Sequence, residues 1–302
     1  MFFYKGICIF LVIFVYHVKT DLWRKVSSHA AWKTLDASEC GYSASDRIIG
    51  GRDAALGQFP WIVRLGYNTG DAELDWMCGG ALLTDRHVVT AAHCVQTSDE
   101  YNLTTIRAGE HNTQTDRDCA LRVCAPAVQD RNIKSIKSHS QYNKPEYHND
   151  LALVVLDKPV QLNDYVLPIC LPRREQLTPA AVRLGEPLVV AGWGTLNMTT
   201  EQRATVLQYV AVPVLPPERC NRVNQGFRLA STEICAGATL NKDACGGDSG
   251  GPMMKVFDTP DGPKTFLVGV VSFGPTICGS KQPGVYTSVP HFLPWMLDNI
   301  VK

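Results

Sequence analysis

Three stretches of this chain constrain it more than anything else: Thr90-Ala91-Ala92-His93-Cys94, Asn149-Asp150-Leu151-Ala152-Leu153 and Gly246-Gly247-Asp248-Ser249-Gly250-Gly251-Pro252. In that order they supply a base, a carboxylate and a nucleophile. A serine hydroxyl is a weak nucleophile at neutral pH and needs a neighbouring base to take its proton. Histidine suits that task because it titrates near neutrality. A buried carboxylate holds the imidazole in one tautomer and stabilises the imidazolium that forms. Taken singly, His93 is one of eight histidines, Asp150 a turn cap and Gly-Asp-Ser-Gly a loop. Found together and in sequence context, they read as one site built from Ser249, His93 and Asp150.

Composition narrows the setting. The chain has 302 residues, 45% hydrophobic and 19% charged, enough for a sizeable core in one or two domains. Its formal net charge is zero and it has no long basic run, which argues against a nucleic-acid partner. Eleven cysteines without a CxxC pair weaken a zinc reading. Lys5 precedes an apolar run, Gly6 to Tyr16, and polarity rises at His17, Lys19 and Thr20. Residues 1–20 therefore read as a secretory signal peptide, too short to hold the chain in a membrane; a retained anchor is the alternative. Cys8 would leave with it, and an even set of ten cysteines would meet an oxidising environment. Asn102-Leu103-Thr104 and Asn197-Met198-Thr199 are then glycosylation sequons.

Residues 21–47 show no long apolar periodicity and read as a pro-segment. From 48 onward, short β-rich runs recur between Gly, Pro and Asn turns: His87–Ala91, Leu151–Leu156, Leu188–Ala191, Val206–Val214 and Phe266–Phe273. The period changes over His291–Ile300, where Phe292, Leu293, Met296, Leu297 and Ile300 share a helical face and Pro294 falls near the first turn. The pattern predicts an all-β fold with a C-terminal α-helix.

The three stretches, together with Asp46-Arg47-Ile48-Ile49-Gly50-Gly51, resemble the chymotrypsin/trypsin family of serine endopeptidases from Ile48 to the end of the chain. The resemblance implies two packed six-stranded antiparallel β-barrels with a cleft between them, over a protease domain at 48–302. It implies that Ser249 attacks, His93 acts as base and then acid, and Asp150 orients it. Backbone N–H groups of Gly247 and Ser249 would form the oxyanion hole, where a side chain at 247 would interfere. Thr90 and Ser272 would offer hydroxyls to Asp150. Cleavage after Arg47 would free an α-amino group on Ile48 to pair with Asp248, so the precursor would be nearly inert. Trp76 stands where some relatives carry a histidine that restrains this aspartate in the precursor.

Asp243, six residues before Ser249, matches the base of a trypsin-like primary pocket, which would pair with Arg or Lys of a protein substrate. Gly274 and Gly284 match its walls, and Ser272-Phe273-Gly274 would bond an extended substrate backbone. Phe273 replaces the commoner Trp, and Ile277 stands near a rim position where Gly is frequent. Spacing alone cannot pair the cysteines. The resemblance suggests Cys78–Cys94, Cys220–Cys235 and Cys245–Cys278, with Cys40–Cys170 tethering the pro-segment and Cys119–Cys124 left as a tight pair. That last pair, in its insertion, resembles the catalytic domains of arthropod clip-domain proteases, which act in haemolymph cascades. The six cysteines of a clip module are not found between the signal peptide and Ile48, where only Cys40 lies.

The resemblance further implies an upstream activating protease and a serpin-type inhibitor, with no membrane partner and no required cofactor. In the loop that begins Gly109-Glu110-His111-Asn112, Glu110 and the carbonyl of Asn112 are candidate Ca²⁺ ligands, with Asp116 or Asp118 completing the set; an ordinary solvated loop is the other reading. Digestive or venom use is the alternative within the enzyme class. A non-catalytic homologue serving as a binding cofactor is the alternative outside it, although all three triad positions are intact.

Overall fold

The computed structural model describes residues 26–43, 52–96, 98, 100–173, 176, 182–197, 202–222, 227–238, 246–275 and 282–300. Arg47, Ile48, Asp243, Ile277, Cys245 and Cys278 lie outside these residues, as do the signal segment and the side chain of Asn197.

Chain order runs α1 (Ala31–Leu35), β1 (Arg52–Asp53), β2 (Ile62–Asn68), β3 (Asp75–Leu82), β4 (His87–Thr90), β5 (Asn102–Ala108), β6 (Cys119–Ala120), β7 (Val123–Cys124), β8 (Gln129–Ser138) and β9 (Ala152–Leu156). It continues with β10 (Pro187–Gly192), β11 (Thr195–Asn197), β12 (Gln202–Arg203), β13 (Gln208–Pro213), α2 (Pro217–Cys220), β14 (Glu233–Gly237), β15 (Pro252–Thr259), β16 (Gly262–Phe273), β17 (Pro283–Ser288) and α3 (Val289–Ile300).

Six strands close the first barrel in the order β2-β3-β4-β9-β8-β5. The second sheet runs β1-β13-β10-β15-β16-β17-β14, and a bridge between Val214 and Ala236 joins its β13 and β14 sides. Six of its strands thus curl into the second barrel, and the short β1 is added outside β13. All these pairings are antiparallel. The all-β, two-barrel architecture with a C-terminal helix is the one expected.

Runs of β-branched residues make the inner strands. His87–Thr90 is buried throughout, and Ala152–Leu156 nearly so. Trp61, Tyr67, Leu65, Leu82, Ile106 and Leu153 are the large, fully buried side chains of the first barrel. Each contributes roughly 1.5–3 kcal/mol by leaving water. Leu188, Val190, Val212, Met253, Val268 and Tyr286 fill the second barrel.

The C-terminal helix starts at Val289, two residues earlier than the pattern suggested, so Pro294 lies inside it rather than in its first turn. Pro290 takes the early position, where its missing N–H costs nothing. Phe292, Leu293, Met296, Leu297 and Ile300 are buried together with Val289.

The segment before the protease region is ordered against it. Val26, Ala31, Trp32 and Leu35 join the same apolar cluster as the first barrel and α3. Trp32 Nε1 donates to the Val26 carbonyl at 2.6 Å, and the Arg173 guanidinium lies 4.2 Å from the Trp32 ring. A disulfide joins Cys40 to Cys170. Gly41 beside it has φ +73°, and a Cβ there would fall 2.6 Å from the Thr265 carbonyl oxygen.

Candidate active site

Each of the three stretches leaves regular structure at the seam between the barrels. β4 ends at Thr90, and the chain turns through His93 on bonds from Cys94 and Val95 N–H to the Ala91 and Ala92 carbonyls. The Cys78–Cys94 disulfide ties that turn to β3. Asp150 lies just ahead of β9, after Asn149 at φ +58°. Ser249 sits in the turn before β15. Its carbonyl accepts from Gly79 N–H of the first barrel at 2.8 Å, while the next residue, Gly250, donates to Val271 of the second. Gly250 has φ +77°, and a Cβ there would lie 2.1 Å from Thr90 Oγ1. Only glycine lets the two barrels close this tightly.

The Asp150 carboxylate is buried and fully engaged. Oδ1 accepts the His93 backbone N–H at 2.9 Å, and Oδ2 faces His93 Nδ1 at 2.7 Å. Ser272 Oγ donates to Oδ2 at 2.6 Å, and Thr287 Oγ1 donates to the Asp150 carbonyl at 2.8 Å. Burial alone would raise the pKa of this acid. The bonds and charge of His93, with the Ser272 hydroxyl, outweigh burial and hold it below the ordinary value. Ser272 is the extra residue in a bulge where β16 shifts register against β17 between Val271 and Phe273, which is how its hydroxyl is aimed at Asp150.

Thr90 departs from expectation. Its hydroxyl donates to the Gly79 carbonyl at 2.8 Å rather than to Asp150, whose oxygens are taken by His93 and Ser272. Among the described residues no hydrogen bond joins Ser249 Oγ to His93. Nε2 of His93 lies 3.5 Å from Cys94 Sγ, a disulfide sulfur and so no metal ligand.

Gly247 has φ +101°, and a Cβ there would fall 3.2 Å from Gly194 Cα. Asp248 Oδ1 accepts the Gly194 N–H at 2.8 Å. A Cβ on Gly192 or Gly194 would lie 2.2 or 2.3 Å from an Asp248 carboxylate oxygen, so both glycines are needed to admit this acid. Sequence reasoning missed that cradle, although Gly192-Trp193-Gly194 is visible in the chain. Asp248 shares a cavity with Arg64, Trp76 and Trp193. The Arg64 guanidinium lies 5.0 Å from the Trp76 ring and 5.5 Å from Trp193. Burial pulls its pKa down to about 10, and the nearby Glu110 opposes that fall. Gly274 and Gly284 face one another: a Cβ on Gly274 would touch Gly284 Cα at 3.8 Å.

Disulfides also join Cys119 to Cys124 and Cys220 to Cys235. Asn102 is exposed at the start of β5.

The loop proposed for calcium does not fit that ion. Glu110 Oε2 lies 3.5 Å from an Arg107 nitrogen and 3.9 Å from one of Arg64, so two guanidinium groups already occupy the position of a cation. The Asn112 carbonyl accepts from Thr115 N–H. Asp118 accepts from His111 N–H, Asn112 N–H and the Thr115 hydroxyl.

Two barrels meeting at a histidine–carboxylate pair beside a Gly-Asp-Ser-Gly turn define a serine endopeptidase of the trypsin type. The sequence matches the Trypsin family over residues 48–296, and the chain belongs to that family. It is 38% identical to "CLIP domain-containing serine protease HP8" of Bombyx mori, over 86% of this chain and 71% of that protein. It is 39% identical to "Phenoloxidase-activating factor 1" of Holotrichia diomphalia, over 87% and 73%, and 38% identical to "Spaetzle-processing enzyme" of Drosophila melanogaster, over 86% and 68%. The crystal structure of the Drosophila Grass clip serine protease of the Toll pathway superposes with a TM-score of 0.79 at 31% identity, covering 89% of this chain and 77% of that one.

Proposed function

We propose that this enzyme is secreted as a zymogen, activated by cleavage after Arg47, and cuts protein substrates after Arg or Lys in an extracellular proteolytic cascade, a setting supported by relatives named for phenoloxidase activation and Spaetzle processing. One observation carries the reading: a single buried carboxylate, Asp150, holds both the backbone and the Nδ1 of His93. That pair fixes the tautomer that leaves Nε2 free to take a proton.

In this reading Nε2 of His93 takes the Ser249 proton as Oγ attacks the carbonyl carbon of the substrate. The proton then passes to the leaving amine, and water repeats the sequence on the acyl-enzyme. Gly247 and Ser249 N–H groups stabilise the oxyanion, each donor contributing about 10²–10³ in rate. No cofactor is required. Asp243 pairs with the substrate's basic side chain between Gly274 and Gly284. The Ile48 amino group formed by cleavage reaches Asp248 in its glycine cradle, which orders the oxyanion loop.

Support for secretion comes from the apolar leader and the disulfides; support for the tether comes from Cys40–Cys170. The test is to express wild type and Arg47→Gln, treat both with a protease of basic specificity, and follow labelling of Ser249 by an active-site phosphonate. Labelling and cleavage after Arg should appear only in the cut wild type. Full activity of Arg47→Gln would refute zymogen control, and no labelling of the cut enzyme would favour the non-catalytic reading.

A further inference from the structure

The loop that leads into Asp150 is fastened to the other barrel by a buried pair the mechanism does not use. His148 Nδ1 lies 2.7 Å from Glu233 Oε1, with side chains 9% and 3% exposed. Glu233 opens β14 of the second barrel. Its carboxylate also accepts the Ala230 N–H at 2.7 Å and the Thr232 hydroxyl at 2.9 Å, so it is held before His148 reaches it. Its strand partner is Thr287, the residue whose hydroxyl holds the Asp150 carbonyl.

The backbone around His148 is strained. Tyr147 has φ +70° and Asn149 φ +58°. A bulky side chain in the left-handed region is uncommon and persists where surrounding contacts over-determine it. Those contacts form a closed circuit. The His148 ring stacks on Phe227 at 5.2 Å, Phe227 meets Phe273 edge-on at 5.1 Å, and Phe273 meets Tyr147 at 5.3 Å. Tyr147 is 41% exposed. Phe273 lies between Ser272 and Gly274, the run assigned above to the substrate backbone.

We infer that His148 and Glu233 form a latch between the barrels, and that it positions the Tyr147–Phe273 wall against which the substrate residues ahead of the scissile bond are packed. The inference rests on the proteolytic reading above. These two are positioning residues: they touch no reacting atom and act through Tyr147 and Phe273. The latch makes the enzyme selective for extended peptides carrying apolar residues before the basic one, over substrates that end at the primary pocket.

The test uses full-length protein cut after Arg47 and two probes: a benzoyl-arginine ester, and a tetrapeptide amide ending in Arg with apolar residues before it. Glu233→Ala should lower kcat/KM on the tetrapeptide by about tenfold, mainly through KM, and leave the ester within about twofold. Glu233→Gln, which keeps an acceptor for His148, should stay within about threefold of wild type on the tetrapeptide. Tyr147→Ala should raise the tetrapeptide KM to a similar extent, and the double variant no further, because the two act as one unit.

If Glu233→Ala does not fold, the paired change His148→Phe with Glu233→Met decides. It removes both members of the pair together and keeps a ring on Phe227, while the Ala230 N–H and Thr232 hydroxyl, both on half-buried residues, turn to water. The same selective loss is expected. Equal losses on both probes, or none on either, would overturn the latch. A wild-type enzyme inert toward the ester would instead defeat the proteolytic reading itself, and the latch with it.

Discussion

Two buried acids in or beside the first barrel, Asp150 and Glu110, meet opposite fates. Their side chains are 5% and 2% exposed, so burial pushes both toward the neutral form. Asp150 ends below its ordinary value and Glu110 above it. The difference lies in contact length. Asp150 has three partners within 2.6–2.9 Å of its oxygens. Glu110 has one backbone donor at 3.1 Å and guanidinium nitrogens at 3.5 and 3.9 Å. Two arginines stand near Glu110, but the Asp118 carboxylate beside it opposes them, and their longer contacts do not offset burial as the short bonds at Asp150 do, because hydrogen-bond strength falls steeply with distance and angle. A buried carboxylate stays ionised when donors are aimed at it, and the molecule aims them at the acid that is bonded to His93.

Activity should separate the two most sharply. Asp150→Asn keeps the shape but makes an amide donor of one oxygen, so the cleaved enzyme should lose about 10⁴-fold in kcat, the size established for this family. A loss under tenfold in steady-state hydrolysis would break the assignment.

The pH dependence of stability should have opposite slopes for the two sites. Asp150 has a depressed folded pKa, so its stabilisation is present above its ordinary 3.8 and is lost as pH falls through the folded value. Glu110 has a raised folded pKa, so its favourable contribution is complete below 4.5 and is lost as pH rises through the folded value. Urea unfolding between about pH 3 and 7 should therefore show Asp150→Asn falling further behind wild type as pH rises, and Glu110→Gln gaining on it. Slopes of the same sign would mean that the two environments are not distinct. At neutral pH, Glu110→Gln should cost only about 1 kcal/mol and leave kcat/KM within about twofold, since its longer contacts are worth little more than an ordinary hydrogen bond. Thermal unfolding and peptide hydrolysis on one preparation check both.

The same contrast explains what could be read before folding. His93, Asp150 and the turn around Ser249 were legible because their chemistry requires fixed residue types in short contiguous words. Strands such as His87–Thr90 were legible because β-branched runs meet turn residues. β8 was not: Gln129–Ser138 carries polar residues along its length and is mostly exposed, so it becomes a strand by pairing with β5 and β9 rather than by its own pattern. The ordered segment ahead of β1 was missed for a related reason. Val26, Ala31, Trp32 and Leu35 are too few to form a periodic face alone, and they gain burial only against the first barrel and α3. Long-range partners such as Gly194 for Asp248, or Glu233 for His148, leave no mark in spacing.

The smallest effect expected is none at all, and it probes Glu110 from outside. A calcium ion at Glu110 and the Asn112 carbonyl would need several oxygen ligands turned toward one point. Here Glu110 faces Arg64 and Arg107, and Arg107 is drawn further in by Asp130 through bonds of 2.8 Å from Nε and Nη2. Arg107 also lies over the Trp76 ring at 4.5 Å, which covers one face of the guanidinium. Calcium would have to displace two resident cations and strip Asp118 of its three donors, with no net gain in charge neutralisation. Adding millimolar Ca²⁺, or EDTA, should leave the Tm unchanged. A rise in Tm that saturates with Ca²⁺ would show the loop reorganising around the ion, and the account of Glu110 as an acid whose cations are arginines would fail.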